Sequence, residues 1–358
     1  MVPRLRPVLA GLPGYVPGRR PSAGQDYARL ASNETPFAPL PSVAAAAAAA
    51  VGEGHRYPDP QAVLLVEAIA AFHGVEPEQV AVGCGSVALV QQLLAATADQ
   101  GDEVVYAWRS FEAYPVLTRL AGAAPVEVPL QDEALDLDAL AEAVTDRTRL
   151  VLLCSPNNPT GPALAADRVR GFLDEVRPDV LVVLDEAYAE FVTDPAAVDG
   201  RAFLDRPNVA VLRTFSKAYG LAGLRVGYSL SSPAVTAALR QVQLPFSVSV
   251  VAQATAVASL AAQSELATRV LAVTEERARV RAELLSLGFD VPDAQGNFVW
   301  LPLRAAALEA AAVFEEHGVL VRPFAGDGVR ATIGTPAEND RLLDGARALS
   351  LSSAGAGR

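Results

Sequence analysis

The chain has 358 residues, 51% hydrophobic and 20% charged, with 29 Lys and Arg against 41 Asp and Glu and a formal net charge of −12 at pH 7. This is the composition of a globular chain long enough for roughly two domains, and it excludes a disordered one. The acidic balance argues against a nucleic-acid or anionic-membrane surface, and the longest plain apolar stretch, 43–51, is too short to span a bilayer. Cys84 and Cys154 form no C-x-x-C, which predicts a reduced, cytoplasmic protein. His55, His73 and His317 share no ligand-like spacing, so no metal site is expected.

Residues 1–30 are rich in Pro, Gly and Arg and read as an extended arm; their scattered Arg and Pro do not make a signal peptide. The Ala-rich stretch 43–51 predicts a helix. From about Val80, short β-branched runs alternate with amphipathic segments. A strand over 79–82 precedes a helix over 87–98, then 103–107 precedes 113–121, and 149–154 precedes 164–176. Strands over 180–184 and 209–213 follow. This order predicts an α/β fold, a mostly parallel sheet with helices on both faces, which binds ligands beyond the carboxyl ends of its strands. After Tyr228 the pattern changes. A helical stretch over 233–285 leads to short strands over 297–301, 319–322 and 329–333, which read as a smaller α+β domain. The expected division is an arm and part of the small domain over 1–40, a large domain over 41–245, and a connecting helix with the rest of the small domain over 246–358.

Groups able to do chemistry collect where predicted strands end. Lys217 is the only lysine among the 29 basic residues. An amine can form a Schiff base or act as a base near neutral pH, and a guanidinium cannot. Chance survival of one lysine in an Arg-biased chain is the plain alternative. Thr214 and Ser216 precede Lys217 and Arg225 follows, a set of hydroxyls and guanidinium suited to a phosphate. Gly83-Cys84-Gly85-Ser86 joins a strand to a helix, either as an anion site at a helix N-terminus or as a packing turn. Ser155-Pro156-Asn157-Asn158-Pro159-Thr160-Gly161 is a rigid turn that holds two amides at a strand end, for structure or for a ligand. Asp185 ends the run Leu181-Val182-Val183-Leu184, and Tyr188 lies three residues on. An apolar strand ending in Asp-Glu also fits the Walker B element of an ATPase, but Lys217 lies in no G-x-x-x-x-G-K-[ST] loop.

Together, Ser-Pro-Asn-Asn-Pro-Thr-Gly, Asp-Glu-Ala-Tyr and Ser-Lys-Ala-Tyr-Gly-Leu-Ala-Gly-Leu-Arg-Val-Gly resemble the fold-type I, pyridoxal-phosphate-dependent aminotransferases. The branch is that of histidinol-phosphate and aromatic amino acid aminotransferases. The resemblance runs from Leu12-Pro13-Gly14-Tyr15 through Asn33-Glu34 and Tyr57-Pro58 to Val329-Arg330-Ala331-Thr332-Ile333-Gly334. It implies that Lys217 carries the cofactor, that Asp185 pairs with the pyridine nitrogen, and that Tyr188 and Asn158 bond the ring oxygen. Gly85, Ser86, Thr214, Ser216 and Arg225 would hold the phosphate. Tyr57 would reach the phosphate of a neighbouring subunit, which implies a homodimer with shared sites. Phe111 would stack on the ring, with core packing as its alternative. Arg330 would clamp the substrate α-carboxylate. Tyr15, Asn33, Phe246 and Arg322 are candidates to meet the rest of the substrate.

Two departures from the family pattern stand out. Val87 and Ala88 replace an Asp-Glu pair common at the phosphate turn. Phe246 replaces a Tyr common in histidinol-phosphate enzymes, removing a hydroxyl suited to a substrate phosphate. Phe246 and the partly aromatic segment 322–330 favour phenylalanine or tyrosine as amino donor with 2-oxoglutarate as acceptor. Arg322 keeps histidinol phosphate open, unless it serves only a surface salt bridge. A lyase or decarboxylase using the same cofactor, and a non-catalytic binding protein on the same fold, are the further alternatives.

Overall fold

The computed structural model describes residues 3, 5–12 and 26–355. Its strands are β1 (Ala28–Arg29), β2 (Val80–Gly83), β3 (Glu103–Trp108), β4 (Ala124–Pro129), β5 (Thr148–Cys154), β6 (Leu181–Asp185), β7 (Val209–Thr214), β8 (Gly227–Ser231), β9 (Phe298–Leu301), β10 (Val319–Leu320), β11 (Arg322–Phe324) and β12 (Gly328–Thr332). Seven of them form one sheet in the order β2-β8-β7-β6-β5-β3-β4. The run β7-β6-β5-β3-β4 is parallel, and β8 lies antiparallel to both neighbours. The expected mostly parallel α/β sheet is therefore present.

Strand alternation explains why these segments read as continuous apolar runs. Successive side chains point to opposite faces, and here both faces are covered. Val151 and Leu153 of β5, with Val182 and Leu184 of β6, enter one core with Leu65, Ile69 and Phe172. Leu150, Leu152 and Cys154, with Leu181 and Val183, enter the other with Leu89, Leu93, Tyr114 and Leu239. The helices that supply these partners include Val63–His73 and Ala166–Glu175 on the first side. Ser86–Thr97, Ala113–Ala121 and Pro233–Val242 lie on the second.

Three features depart from the sequence pattern. β4, unassigned by the pattern, reads A-P-V-E-V-P and sits at the sheet edge, where a proline costs no inward ladder bond. β8 carries Gly227, Ser229 and Ser231, whose small and polar side chains hide a strand that is buried throughout. The expected strand over 319–322 is divided. Val319–Leu320 pairs in parallel with Ala28–Arg29 of the N-terminal segment, whereas Arg322–Phe324 joins β12 and β9 in an antiparallel sheet. Within the described part of the arm, Pro7–Gly11 forms a short 3-10 helix. The helical stretch after β8 resolves into Pro233–Val242, Val250–Ala261 and Gln263–Ser286.

Gly161 closes the turn after β5 with φ +103°, and a Cβ there would lie 2.6 Å from the Cα of Ala294. Replacing Gly161 by Ala combines left-handed backbone strain with overpacking, a cost of about 3 kcal/mol. A lower denaturation midpoint for Gly161→Ala in urea, with displacement of the Asn158 loop in a crystal structure, is the expected outcome.

Candidate active site

The parallel strands all end on one edge, and the groups singled out by sequence meet there around a cleft of about 450 Å³. β6 delivers Asp185 and Tyr188, β7 delivers Thr214, Ser216 and Lys217, and the turn after β5 delivers Asn158. Because β8 runs backwards, Arg225 just before it reaches the same edge. Ser86 opens its helix beside Gly85, and Phe111 follows β3. The antiparallel sheet closes the far side with Arg322 and Arg330.

Lys217 opens on to the cleft and donates to the backbone oxygen of Ser32 at 3.3 Å. Its amine lies deep in the protein mass, and burial is the largest reason its pKa falls to about 7, with Arg330 and Arg225 adding to the effect. Glu34 and Asp185 oppose it. Nζ also lies 5.8 Å from the centre of the Tyr188 ring.

Asp185 is 4% exposed. Oδ2 accepts from the Tyr114 hydroxyl at 2.7 Å, and Oδ1 has no hydrogen-bond partner among the described residues. Burial raises the carboxyl pKa despite help from Tyr114, the Ala187 N–H and Lys217. A buried carboxylate oxygen without a donor is costly, so this geometry suits a ligand that brings a proton or a positive charge to Oδ1. Tyr188 is buried, which raises its hydroxyl pKa to about 12.

On the opposite wall, Arg330 donates through Nη1 to Asn158 Oδ1 and through Nη2 to the Ala31 backbone oxygen at 2.7 Å. That bond orients Asn158 so that its Nδ2 is the end left to donate. Asn157, by contrast, is fully buried and consumed by its own loop. It accepts from Ser110 Oγ and donates to Arg109 O and Thr160 Oγ1. Of the two adjacent amides, only Asn158 reaches the cleft.

Arg225 adopts φ +57° and donates to Ser216 Oγ at 3.3 Å and Ala222 O at 2.9 Å. Its Nη2 would lie 2.5 Å from a Cβ on Gly85, so only glycine leaves this guanidinium in place beside the helix N-terminus. Hydroxyls, a guanidinium and the helix N-terminus converge here, a set that could hold an anion. Val87 lines the cleft next to it, where an acidic residue would add like charge to any anion.

Other sequence candidates lie elsewhere. Asn33 is 1% exposed and sits behind the cleft, where Nδ2 donates to the Tyr188 hydroxyl at 2.9 Å and Oδ1 accepts from Thr332. Tyr57 is 82% exposed and stacks on Phe246, with ring centroids 4.6 Å apart; neither lines the cleft. Tyr15 lies outside the described residues. Arg322 does make a salt bridge, to Glu112, yet at the cleft wall and with its side chain only 15% exposed. Sequence reasoning missed Tyr114 and Glu112. Tyr114 was legible as the residue one helical turn after Phe111, against which its ring packs edge-on at 5.5 Å.

The model for the family described as aminotransferase class I and II matches residues 25–345. The chain belongs to that family and is an aminotransferase. It is 57% identical to the aromatic amino acid aminotransferase of Thermobifida fusca, covering 96% of this chain and 97% of that one. The enzyme of the same name from Rhodococcus jostii is 55% identical, covering 96% and 95%. Among solved structures, the histidinol-phosphate aminotransferase of Sinorhizobium meliloti in complex with pyridoxal-5'-phosphate superposes with a TM-score of 0.89. It shares 32% identity over 98% of each chain.

Because Lys217 is the only lysine, amine labelling reports on it directly. Peptide-resolved acylation of the cofactor-free protein is expected to titrate at Lys217 with a midpoint near 7. An ordinary lysine is neutral at pH 7 in only about one molecule in a few thousand. Arg330→Gln removes a nearby positive charge and is expected to move the midpoint upward.

Proposed function

We propose that this chain transfers the amino group of an aromatic L-amino acid, phenylalanine or tyrosine, to 2-oxoglutarate, giving the aryl-pyruvate and L-glutamate, with pyridoxal phosphate as cofactor. One observation carries the cofactor reading. Asp185 Oδ1, buried and short of a donor, lines the same cleft as the sole lysine, whose amine is held near neutrality. A protonated ring nitrogen is the kind of group that oxygen needs. The cradle of Gly85, Ser86, Thr214, Ser216 and Arg225 suits a phosphate.

When bound, pyridoxal phosphate would supply an aldehyde that a lysine amine can capture and a ring that accepts electrons from the substrate Cα. The chain's own residues would do the rest. Lys217 Nζ would take the α-proton of the donor and return it to the cofactor's carbonyl carbon, across the transferred nitrogen, which requires a neutral amine at working pH. Asp185 would keep the ring nitrogen protonated. The Tyr188 hydroxyl and Asn158 Nδ2 would hold the ring oxygen, and Phe111 would cover one ring face. Arg330, oriented by Asn158 and the Ala31 carbonyl, would receive the α-carboxylate in a two-pronged fork.

The names carried by relatives 51–57% identical over nearly the whole chain support an aromatic donor. Histidinol phosphate is the second reading, favoured by a second guanidinium, Arg322, beside Arg330 in the β-ladder. A homodimer is also part of this reading. The exposed Tyr57–Phe246 stack, with Leu244 75% exposed two residues away, is a surface suited to a second copy, from which Tyr57 would reach the partner's phosphate. Residues 41–245 would then form the cofactor-binding domain. Residues 1–40 and 246–358 would build the arm, connecting helix and small domain. Low cysteine content fits a cytoplasmic setting.

The test is a two-substrate assay with 2-oxoglutarate that compares phenylalanine, tyrosine and histidinol phosphate by kcat/KM. The expected order puts phenylalanine or tyrosine first; a preference for histidinol phosphate would reverse the reading. Release of CO₂ or ammonia without transamination would replace it with a lyase. Lys217→Arg keeps the charge and loses the nucleophilic amine, so its transaminase activity is expected to fall at least about 10⁴-fold. Normal activity in Lys217→Arg would sink the assignment.

A further inference from the structure

Arg322 and Arg330 are direct partners across the antiparallel pair β11–β12. Directly opposed residues place both side chains on one face of the sheet, about 5 Å apart at Cβ. Both line the cleft. Their hydrogen bonds differ in kind. Arg330 donates to two neutral oxygens, Asn158 Oδ1 and the Ala31 carbonyl. Arg322 Nη2 donates to both carboxylate oxygens of Glu112, at 3.0 and 3.3 Å.

Glu112 is held there by more than that pair. It is the residue before the helix Ala113–Ala121, so its carboxylate lies at a helix N-terminus, where a negative charge is favoured. Three residues earlier, Arg109 Nε donates to Asp327 Oδ2 in the turn between β11 and β12. The loop after β3 and the β11–β12 hairpin are thus joined by two ion pairs, Arg109–Asp327 and Arg322–Glu112. The Phe324 ring lies 5.5 to 5.8 Å from the guanidinium carbons of Arg109, Arg322 and Arg330 and fills the space between them.

Two guanidiniums and one carboxylate together carry a single net positive charge. A monoanionic α-carboxylate balances that charge. A phosphate dianion needs both guanidiniums and meets a third negative charge in Glu112. We propose that Glu112 is a specificity-determining residue: it engages Arg322, matches this end of the cleft to a carboxylate, and disfavours a phosphate ester. This inference rests on the reading that the donor's anionic end lies against Arg330. Rejection here works by a repulsive element and not by a lost contact. A unit charge a few ångström from the dianion, at the dielectric of a partly open cleft, gives discrimination of about tenfold or more.

The test uses two unreactive ligands that share a phenyl group, 3-phenylpropionate and 3-phenylpropyl phosphate, titrated calorimetrically into the cofactor-loaded enzyme. The wild-type protein is expected to prefer the carboxylate. Glu112→Gln keeps the side-chain shape and removes the charge, and it should move the ratio of the two Kd values about tenfold towards the phosphate. Adding Arg322→Gln should cancel that gain. An unchanged ratio in Glu112→Gln overturns the proposal. If Arg330→Gln still weakens the carboxylate in that case, the site reading stands and the role of Glu112 alone falls. Carboxylate binding indifferent to Arg330→Gln overturns both.

Discussion

The groups that the large sheet brings to this cleft depend on one constraint: the parallel strands are covered on both faces. A strand buried on two sides tolerates charged side chains only at or next to its ends, because an unpaired charge inside either core would cost several kcal/mol. In β3, β5, β6 and β7 the charged side chains obey that rule, with Glu103 and Arg149 near the entry and Arg213 and Asp185 near the exit. Parallel direction then gathers the exit ends on a single edge. β8 contributes by running the other way, which brings Arg225 to that edge from its entry side.

Desolvation at that edge sets the chemistry of the titratable groups. The same burial that lowers the Lys217 amine raises the Asp185 carboxyl and the Tyr188 hydroxyl. Each shift favours a neutral form. A cationic ring beside Asp185 would favour its carboxylate form, so binding of such a ring and ionisation of Asp185 would be coupled. The Arg330 guanidinium takes part twice, since it helps depress Lys217 and is itself aimed by Asn158.

The seven-stranded sheet and the antiparallel sheet of β11, β12 and β9 meet through a buried polar bracket. Asn33, at φ +53°, donates to the Tyr188 hydroxyl of the large sheet and bonds Thr332 at the end of β12, while its carbonyl accepts from Asn297 just before β9. Thr332 in turn donates its N–H to Leu30 O. This short N-terminal segment therefore registers Arg330, two residues from Thr332, against the ends of β5 and β6. Directional hydrogen bonds of this kind fix one arrangement more sharply than apolar packing does, although Asn297 Oδ1 lacks a partner among the described residues.

Much of the architecture was legible from the chain alone. Continuous apolar runs of strand length announced a doubly covered sheet. The solitary Lys217, the carboxylate ending β6, the Asn-Asn turn and Arg225 marked the edge where the cleft lies. Those signals are local, because strand ends and turn residues are written in consecutive positions. Other features were not legible for an equally physical reason. The proline-flanked β4 and the Ser-rich β8 are strands by virtue of their neighbours and not by propensity. The choice of Asn158 over Asn157 was decided by which amide the loop itself consumes. The partnership of Glu112 with Arg322, and of Tyr114 with Asp185, joins residues 210 and 71 positions apart. The sequence by itself determined the sheet and the type of chemistry, because periodicity and residue type carry both. Only the tertiary structure decided which charges neutralise one another, because that depends on through-space distance and burial.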